Sequence, residues 1–148
     1  MNILFDERLD GELVRRDKAE VLSDLQGAVP SLTLLHREED LRPFECDGLA
    51  AYRVLPMLVA LPETLEQVEG LLKRCHALGV PVVTRGAGTG LSGGALPLEQ
   101  GVLLVMSRFN QIITVDPDAR IARVQPGVRN LAISEAAAPY GLYYAPDP

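Results

Sequence analysis

The chain has 148 residues, 47% of them hydrophobic, enough for one domain with a real core and too few for several. Its net charge is −6 and its pI about 4.9 with no basic cluster, which sets aside nucleic acid and anionic membrane surfaces, since both recruit Lys and Arg to neutralise phosphates. The acidity sits early: residues 1–53 carry 12 acidic and 7 basic side chains, residues 54–148 carry 8 and 7.

Met1 to Asp10 is too charged for a secretory signal, and the apolar run Val54 to Leu61 is only eight residues long and broken by Pro56. A cytoplasmic protein without direct membrane insertion is expected. Cys46 and Cys75 are far apart and form no CxxC or metal spacing, which reads as two reduced thiols and leaves a single disulfide open.

In chain order, Asp17 with Glu20 three residues on, followed by Val21, Leu22 and Leu25, predicts a helix over 17–26 ended by Gly27. His36 to Arg53 is charged, contains Pro43 and Gly48 and shows no period. It reads as irregular chain or a short helical turn, with a boundary at its end: an N-terminal helical and irregular segment over 1–53, then a second unit over 54–148.

Met57 to Leu61 suits a short buried strand, and Thr64-Leu65-Glu66-Gln67 fits the capping box that opens a helix. Leu65, Val68, Leu71, Leu72, Cys75 and Leu78 follow at helical spacing until Gly79. Pro81 to Thr84 and Val102 to Met106 are two more strands, so this region reads as strand, helix, strand, loop, strand. The helical crossover makes the first two strands parallel. Gln111 to Val115 and Ile121 to Gln125, joined by the polar turn Asp116 to Arg120, read as an antiparallel hairpin. Asn130 is the expected cap of a helix carrying Leu131, Ile133 and Ala136 to Ala138, ended near Pro139 to Gly141, and Leu142 to Ala145 is expected to begin another strand. No internal repeat or flexible linker interrupts the chain.

The stretch Arg85 to Gly94 stands apart. From Gly86 to Gly94 it has five glycines in nine residues, far more backbone entropy than a turn needs to surrender. Glycine lets backbone N–H groups converge on an anion, most often phosphate. Gly88-Thr89-Gly90-Leu91-Ser92-Gly93 matches G-x-G-x-x-G, but Ala95 to Gly101, with Pro97, leaves too little chain for the helix that a Rossmann site requires. A Walker loop fails because no Lys-Ser or Lys-Thr follows the glycines. A strand-to-strand loop binding phosphate through its own N–H groups remains. In it Gly86, Gly88 and Gly90 supply the unusual backbone angles, alternating with Ala87, Thr89 and Leu91. The hydroxyls of Thr89 and Ser92 add donors, and Arg85 either offsets the diphosphate charge or makes a structural salt bridge. A glycine-rich turn that only lets two strands pack closely is the alternative.

These residues, with Val59-Ala60-Leu61-Pro62, Gln67-Val68, and the run from Asn130 to Ser134 through Tyr143-Tyr144-Ala145-Pro146-Asp147-Pro148, resemble the FAD-linked oxidases of the vanillyl-alcohol oxidase and p-cresol methylhydroxylase (PCMH) superfamily, glycolate oxidase type. The resemblance implies that residues 85 to 94 wrap the FAD pyrophosphate and that Pro146 to Pro148 lie near the cofactor. It implies a complete enzyme that oxidises a 2-hydroxy acid such as glycolate or D-lactate by hydride transfer to flavin N5. Electrons would pass to an iron–sulfur subunit in a complex with a second flavin subunit, and any membrane association would come through such partners. Relatives continue with a second glycine-rich segment and a substrate domain carrying the catalytic groups. This chain has neither, so alone it is expected to be inactive and no catalytic residue is assigned.

His36 and His76 make no acid–base or metal constellation, and Glu38-Glu39-Asp40 reads as a solvated patch, so no metal is expected. Strand alternation would put one of Tyr143 and Tyr144 near the cofactor, with Tyr144 assigned. The expectation is therefore an α+β unit, the N-terminal part of a PCMH-type FAD-binding domain: a small, largely parallel three-stranded sheet with helices, then an antiparallel hairpin and helix. The rival readings are a non-catalytic interaction or self-association module derived from that fold, and a general nucleotide binder.

Overall fold

A computed structural model of the chain describes residues 15–146. Met1 to Asp10, read above for a signal, and the proposed site residues Asp147 and Pro148 lie outside the described residues.

Helix α1 (Lys18–Ala28) starts where Asp17 accepts hydrogen bonds from the backbone N–H groups of Ala19 at 2.8 Å and Glu20 at 3.2 Å. Gly27, expected to end it, lies inside it. The helix stops two residues before Pro30, which has no N–H to donate and pushes Val29 out of the helical region. Strand β1 (Thr33–Leu35) was not expected: three residues give too little alternation to read. The charged stretch after it folds as helix α2 (Glu38–Leu41) and a 3-10 turn over Arg42–Phe44, then runs irregularly to strand β2 (Leu58–Leu61).

Helix α3 (Leu65–Leu78) is capped by Thr64, whose hydroxyl accepts from the Gln67 N–H, and ends at Gly79 in the left-handed region, φ 66°. The capping box is modified. Gln67 accepts from the Glu63 N–H at 2.7 Å, and its amide group donates to both the carbonyl and the hydroxyl of Ser31, so this buried polar side chain ties three segments together. Val68, Leu71 and Cys75 face the core, whereas Leu65 and Leu72 of the periodic set stay exposed because the sheet covers only one stripe of the helix.

Strands β3 (Val82–Arg85) and β4 (Val102–Val105) complete a sheet ordered β1-β2-β4-β3, four strands rather than three. β4 pairs parallel with both β2 and β3, and β1 pairs antiparallel with β2. β2 and β3 are thus parallel but not adjacent. Every residue of β2 and β4 is buried, as expected of parallel strands covered on both faces. Leu58, Ala60, Val102 and Leu104 pack against α1 and α3, while Val59, Leu61, Leu103 and Val105 form a second cluster with Leu41, flanked by Phe44 and Leu55. The stretch that sequence periodicity leaves irregular therefore roofs one face of the sheet.

Beyond a 3-10 turn at Met106–Arg108 come the hairpin strands β5 (Ile112–Asp116) and β6 (Ile121–Val124), with a bulge between Ile112 and Thr114. Asp116 accepts from the Ala119 N–H at 2.9 Å in the turn. Helix α4 (Asn130–Ala137) passes into a 3-10 turn at Ala138–Tyr140 ended by Gly141 at φ 69°. Asn130 is its first residue, not its cap, because its side chain is drawn away to the Pro146 carbonyl at 3.1 Å. Leu142 to Ala145 pairs with no strand among the described residues. Its Tyr144 N–H goes to the Ser134 hydroxyl at 3.1 Å, so α4 rather than a sheet edge holds it. No described helix is long and apolar enough to cross a membrane.

α1 and α3 are joined by Arg74, which grips both oxygens of Asp24. That hydrogen bonding, followed by the nearby charge and against the opposing effect of burial, holds the Asp24 carboxyl below its ordinary 3.8. A depressed carboxyl stabilises the fold above its unfolded value and loses that contribution as pH falls through the folded value. Asp24→Asn should therefore lower the urea midpoint at pH 7, and the gap from the parent should close as the pH falls below 3.8; equal midpoints at pH 7 would contradict the assignment. Both thiols are free, and burial, followed by the Asp24 charge, pushes Cys75 up to about 11. At pH 8 a disulfide reagent should modify Cys75 only after unfolding.

Candidate functional site

The C-terminal ends of parallel strands are where α/β sheets place ligands, because the connections diverge there and leave a crevice. Here β3 delivers Gly86 and the glycine loop, while β4 delivers Ser107 and Asn110. The loop runs from β3 to β4 through bends and turns with no helix, which disposes of the Rossmann reading on the ground expected. The reversals fall at Gly88, φ 73°, and Gly93, φ 74°. Gly86 and Gly90, expected to share that role, lie outside the left-handed region, since two reversals suffice to turn the chain. From Ala87 to Ser92 no backbone N–H finds an acceptor among the described residues. Such a row of unpaired donors, kept near solvent, is free to donate to an anion.

Facing the loop is the start of α4. Gly127 sets it there: its N–H donates to the Phe109 carbonyl at 2.8 Å, and a Cβ at this position would collide with the carbonyl oxygens of Met106 and Phe109. The first turn of α4 follows immediately, with Arg129 at the cap position in extended conformation and no side-chain cap. An uncapped helix start presents free N–H groups and the positive end of the helix dipole. Between the two walls lies a cleft of about 750 Å³, lined by Gly86, Ala87 and Thr89 on one side and by Pro126 to Ala132 on the other, with Ser107, Asn110 and Ile112 at its base. Arg129 is the one charged residue of that lining.

Of the sequence-derived site, Gly86, Ala87 and Thr89 line this cleft, and Gly88, Gly90, Leu91 and Ser92 belong to the same loop, with Leu91 72% exposed. Pro146 adjoins it through its bond to Asn130. Tyr144 does not: with Tyr143 it lines a separate pocket of about 340 Å³ between the hairpin and the other side of α4. Arg85 is the last residue of β3, and its guanidinium donates to the Cys46 carbonyl at 2.6 Å and the Phe44 carbonyl at 3.4 Å. Among the described residues it makes no salt bridge, and it is not part of the cleft lining. Residues 126–132, Ser107 and Asn110 had not been singled out as site residues. Pro126-Gly127 ahead of a helix is the sequence signal for the first of these; nothing local marks the other two.

Comparison with known proteins agrees with this geometry. A family model described as FAD binding domain matches residues 56–148. The chain is 64% identical over all its 148 residues to the glycolate oxidase subunit GlcD of Escherichia coli K12, of which it spans 30%. It is 37% identical over 105 residues, 71% of the chain and 22% of the relative, to glycolate oxidase subunit GlcD of Bacillus subtilis. The fold is similar to that of p-cresol methylhydroxylase with substrate bound, with a TM-score of 0.71 at 24% identity over 84% of this chain and 25% of that one.

Because Gly127 has no room for a methyl group, Gly127→Ala should cost about 1–3 kcal/mol of stability. Gly86→Ala, where a Cβ meets nothing within 4 Å, should stay within about 0.5 kcal/mol of the parent. Thermal or urea unfolding of the two variants checks this, and equal stabilities would refute the packing described at Gly127.

Proposed function

The chain belongs to the family of FAD binding domains, and on that premise we propose that the cleft between the glycine loop and the first turn of α4 receives the diphosphate of its cofactor, FAD. The observation that carries the reading is the unpaired row of N–H groups from Ala87 to Ser92 set opposite an uncapped helix start. Donors on two walls suit a group with charge on two linked phosphates. The residues present fit that group. Gly86, Ala87, Gly88, Thr89, Gly90, Leu91 and Ser92 offer backbone and hydroxyl donors, Arg129 supplies positive charge, and Pro146, followed by Asp147 and Pro148, leads away from Asn130 at the cleft wall. Residues 54–148 thus carry the cofactor-binding cleft, and the preceding residues add β1 to its sheet and help cover both faces.

The chain spans about 30% of the curated relative that it matches from end to end, so the whole protein is the proper unit of activity. For that protein we propose oxidation of a 2-hydroxy acid, glycolate or D-lactate, supported by the 64% identity to a glycolate oxidase subunit. When bound, FAD supplies the hydride acceptor. This chain's residues hold the diphosphate and orient the cofactor. An iron–sulfur subunit, a second flavin subunit and a cytoplasmic location belong to the same proposal.

Titration of the full-length protein followed by flavin fluorescence tests the site. FAD should bind, ADP should compete with it, and riboflavin, which has no diphosphate, should not. Arg129→Ala should weaken FAD binding by roughly three- to thirtyfold, the scale of a charge-assisted contact. Riboflavin binding as tightly as FAD, or an absence of FAD binding, would overturn the assignment of the cleft.

A further inference from the structure

We propose that the segment Phe44–Gly48 is a strut that holds the glycine loop in its binding shape, and that Arg85 is a positioning residue within that strut, not a ligand of the diphosphate. The proposal rests on the FAD-site reading for its consequence but on this chain's own contacts for its evidence.

The loop is held at two points by this segment. From below, the Arg85 guanidinium donates to the carbonyls of Cys46 and Phe44, and its carbon lies 5.7 Å from the centroid of the Phe44 ring, within reach of a cation–π contact. The same guanidinium fills the space under Gly88, where a Cβ would collide with it. From the side, Gly48 packs its backbone on the loop backbone: a Cβ there would sit 2.5 Å from the Thr89 carbonyl oxygen and 2.8 Å from that of Gly90. Asp47 sets the angle between these contacts. It is 5% exposed, and one of its oxygens accepts from the Leu49 N–H at 2.9 Å, closing the turn that presents Gly48. Its other oxygen is the one buried side-chain polar atom without a partner among the described residues.

A loop with five glycines loses its shape unless something outside it restricts the backbone, and restriction before binding is what lowers the cost of aiming several donors at one anion. Residues 44–48 provide that restriction, although they precede the stretch matched by the family model, which begins at residue 56. With its guanidinium committed to two carbonyls and a ring, Arg85 leaves the charge facing the cleft to Arg129.

The test uses Gly48→Ala, Arg85→Met, Arg85→Lys and the double variant Gly48→Ala/Arg85→Met in the full-length protein, with urea midpoints as a check on folding. In FAD-free protein, chymotryptic nicking after the exposed Leu91, followed by mass spectrometry, should speed up by about tenfold or more in each variant, the scale of losing a charged hydrogen bond. FAD affinity should fall by about tenfold or more while its dependence on salt stays that of the parent. Lys should rescue no better than Met, and the double variant should be little worse than either single one, because the contacts form one unit. A salt slope reduced by about one in Arg85→Met, with near-parental affinity in Arg85→Lys, would make Arg85 a direct diphosphate ligand and overturn the proposal. Unchanged nicking would overturn it too, whether or not FAD binds. If the parent binds no FAD, the cofactor reading falls and the nicking rates still decide the strut. If Gly48→Ala does not fold, the two Arg85 variants decide it.

Discussion

The structure depends on β4 lying between β2 and β3 with all three strands running the same way. A strand paired on both edges and buried on both faces satisfies its backbone groups, but it leaves two apolar surfaces that must each find a cover. α1 and α3 cover one. The other is covered by the turn and irregular chain around Leu41, Phe44 and Leu55, a roof with little regular structure of its own. The same constraint places the site. Parallel strands open their connections at one end, so the loop after β3 and the turn after β4 emerge side by side, and whatever crosses from β4 to the hairpin must pass close to the loop.

Most of the donors at the site are peptide groups. The lining holds one charged residue, Arg129, and the rest of the favourable field comes from unpaired N–H groups of a loop and a helix start. This agrees with the acidic composition: a chain with net charge −6 can hold an anion provided the donors are local and fixed in direction. Fixed direction is the more demanding requirement, and it explains why so much of the surrounding packing is backbone against backbone, at Gly48 beside the loop and at Gly127 against the turn after β4.

Much of this was legible in the sequence because the signals were local. Thr64 and Gln67 at capping spacing, Gly79 at a helix end, the proline-bearing turn at Asp116 to Arg120 and the absence of a helix after Gly94 each rest on short-range chemistry, and the structure has each. What escaped was set by distant partners. β1 is three residues long and exists only because β2 offers an edge. Gly27 looked like a helix stop, but Pro30 does the stopping. Asn130 looked like a cap, yet its side chain is taken by Pro146, sixteen residues on. Arg85 was read as either an ion-pair partner or an anion contact. Nothing in its neighbours signals the carbonyls of Phe44 and Cys46, about forty residues earlier, that occupy it. The site was half legible for the same reason. The loop declares itself by composition, whereas its opposite wall is ordinary helix start and turn made functional by placement.

Gly127 gives that placement a mechanical meaning. The two walls of the cleft belong to different sheets, one hung from the four-stranded sheet and the other from the hairpin and α4. They approach one another where the Gly127 backbone rests on the carbonyls of Met106 and Phe109, in and just after the 3-10 turn that follows β4. The missing side chain at that point acts as a gauge block for the gap. A methyl there would meet those carbonyls, so the spacing of the walls is tied to a residue whose sequence neighbours suggest only a turn.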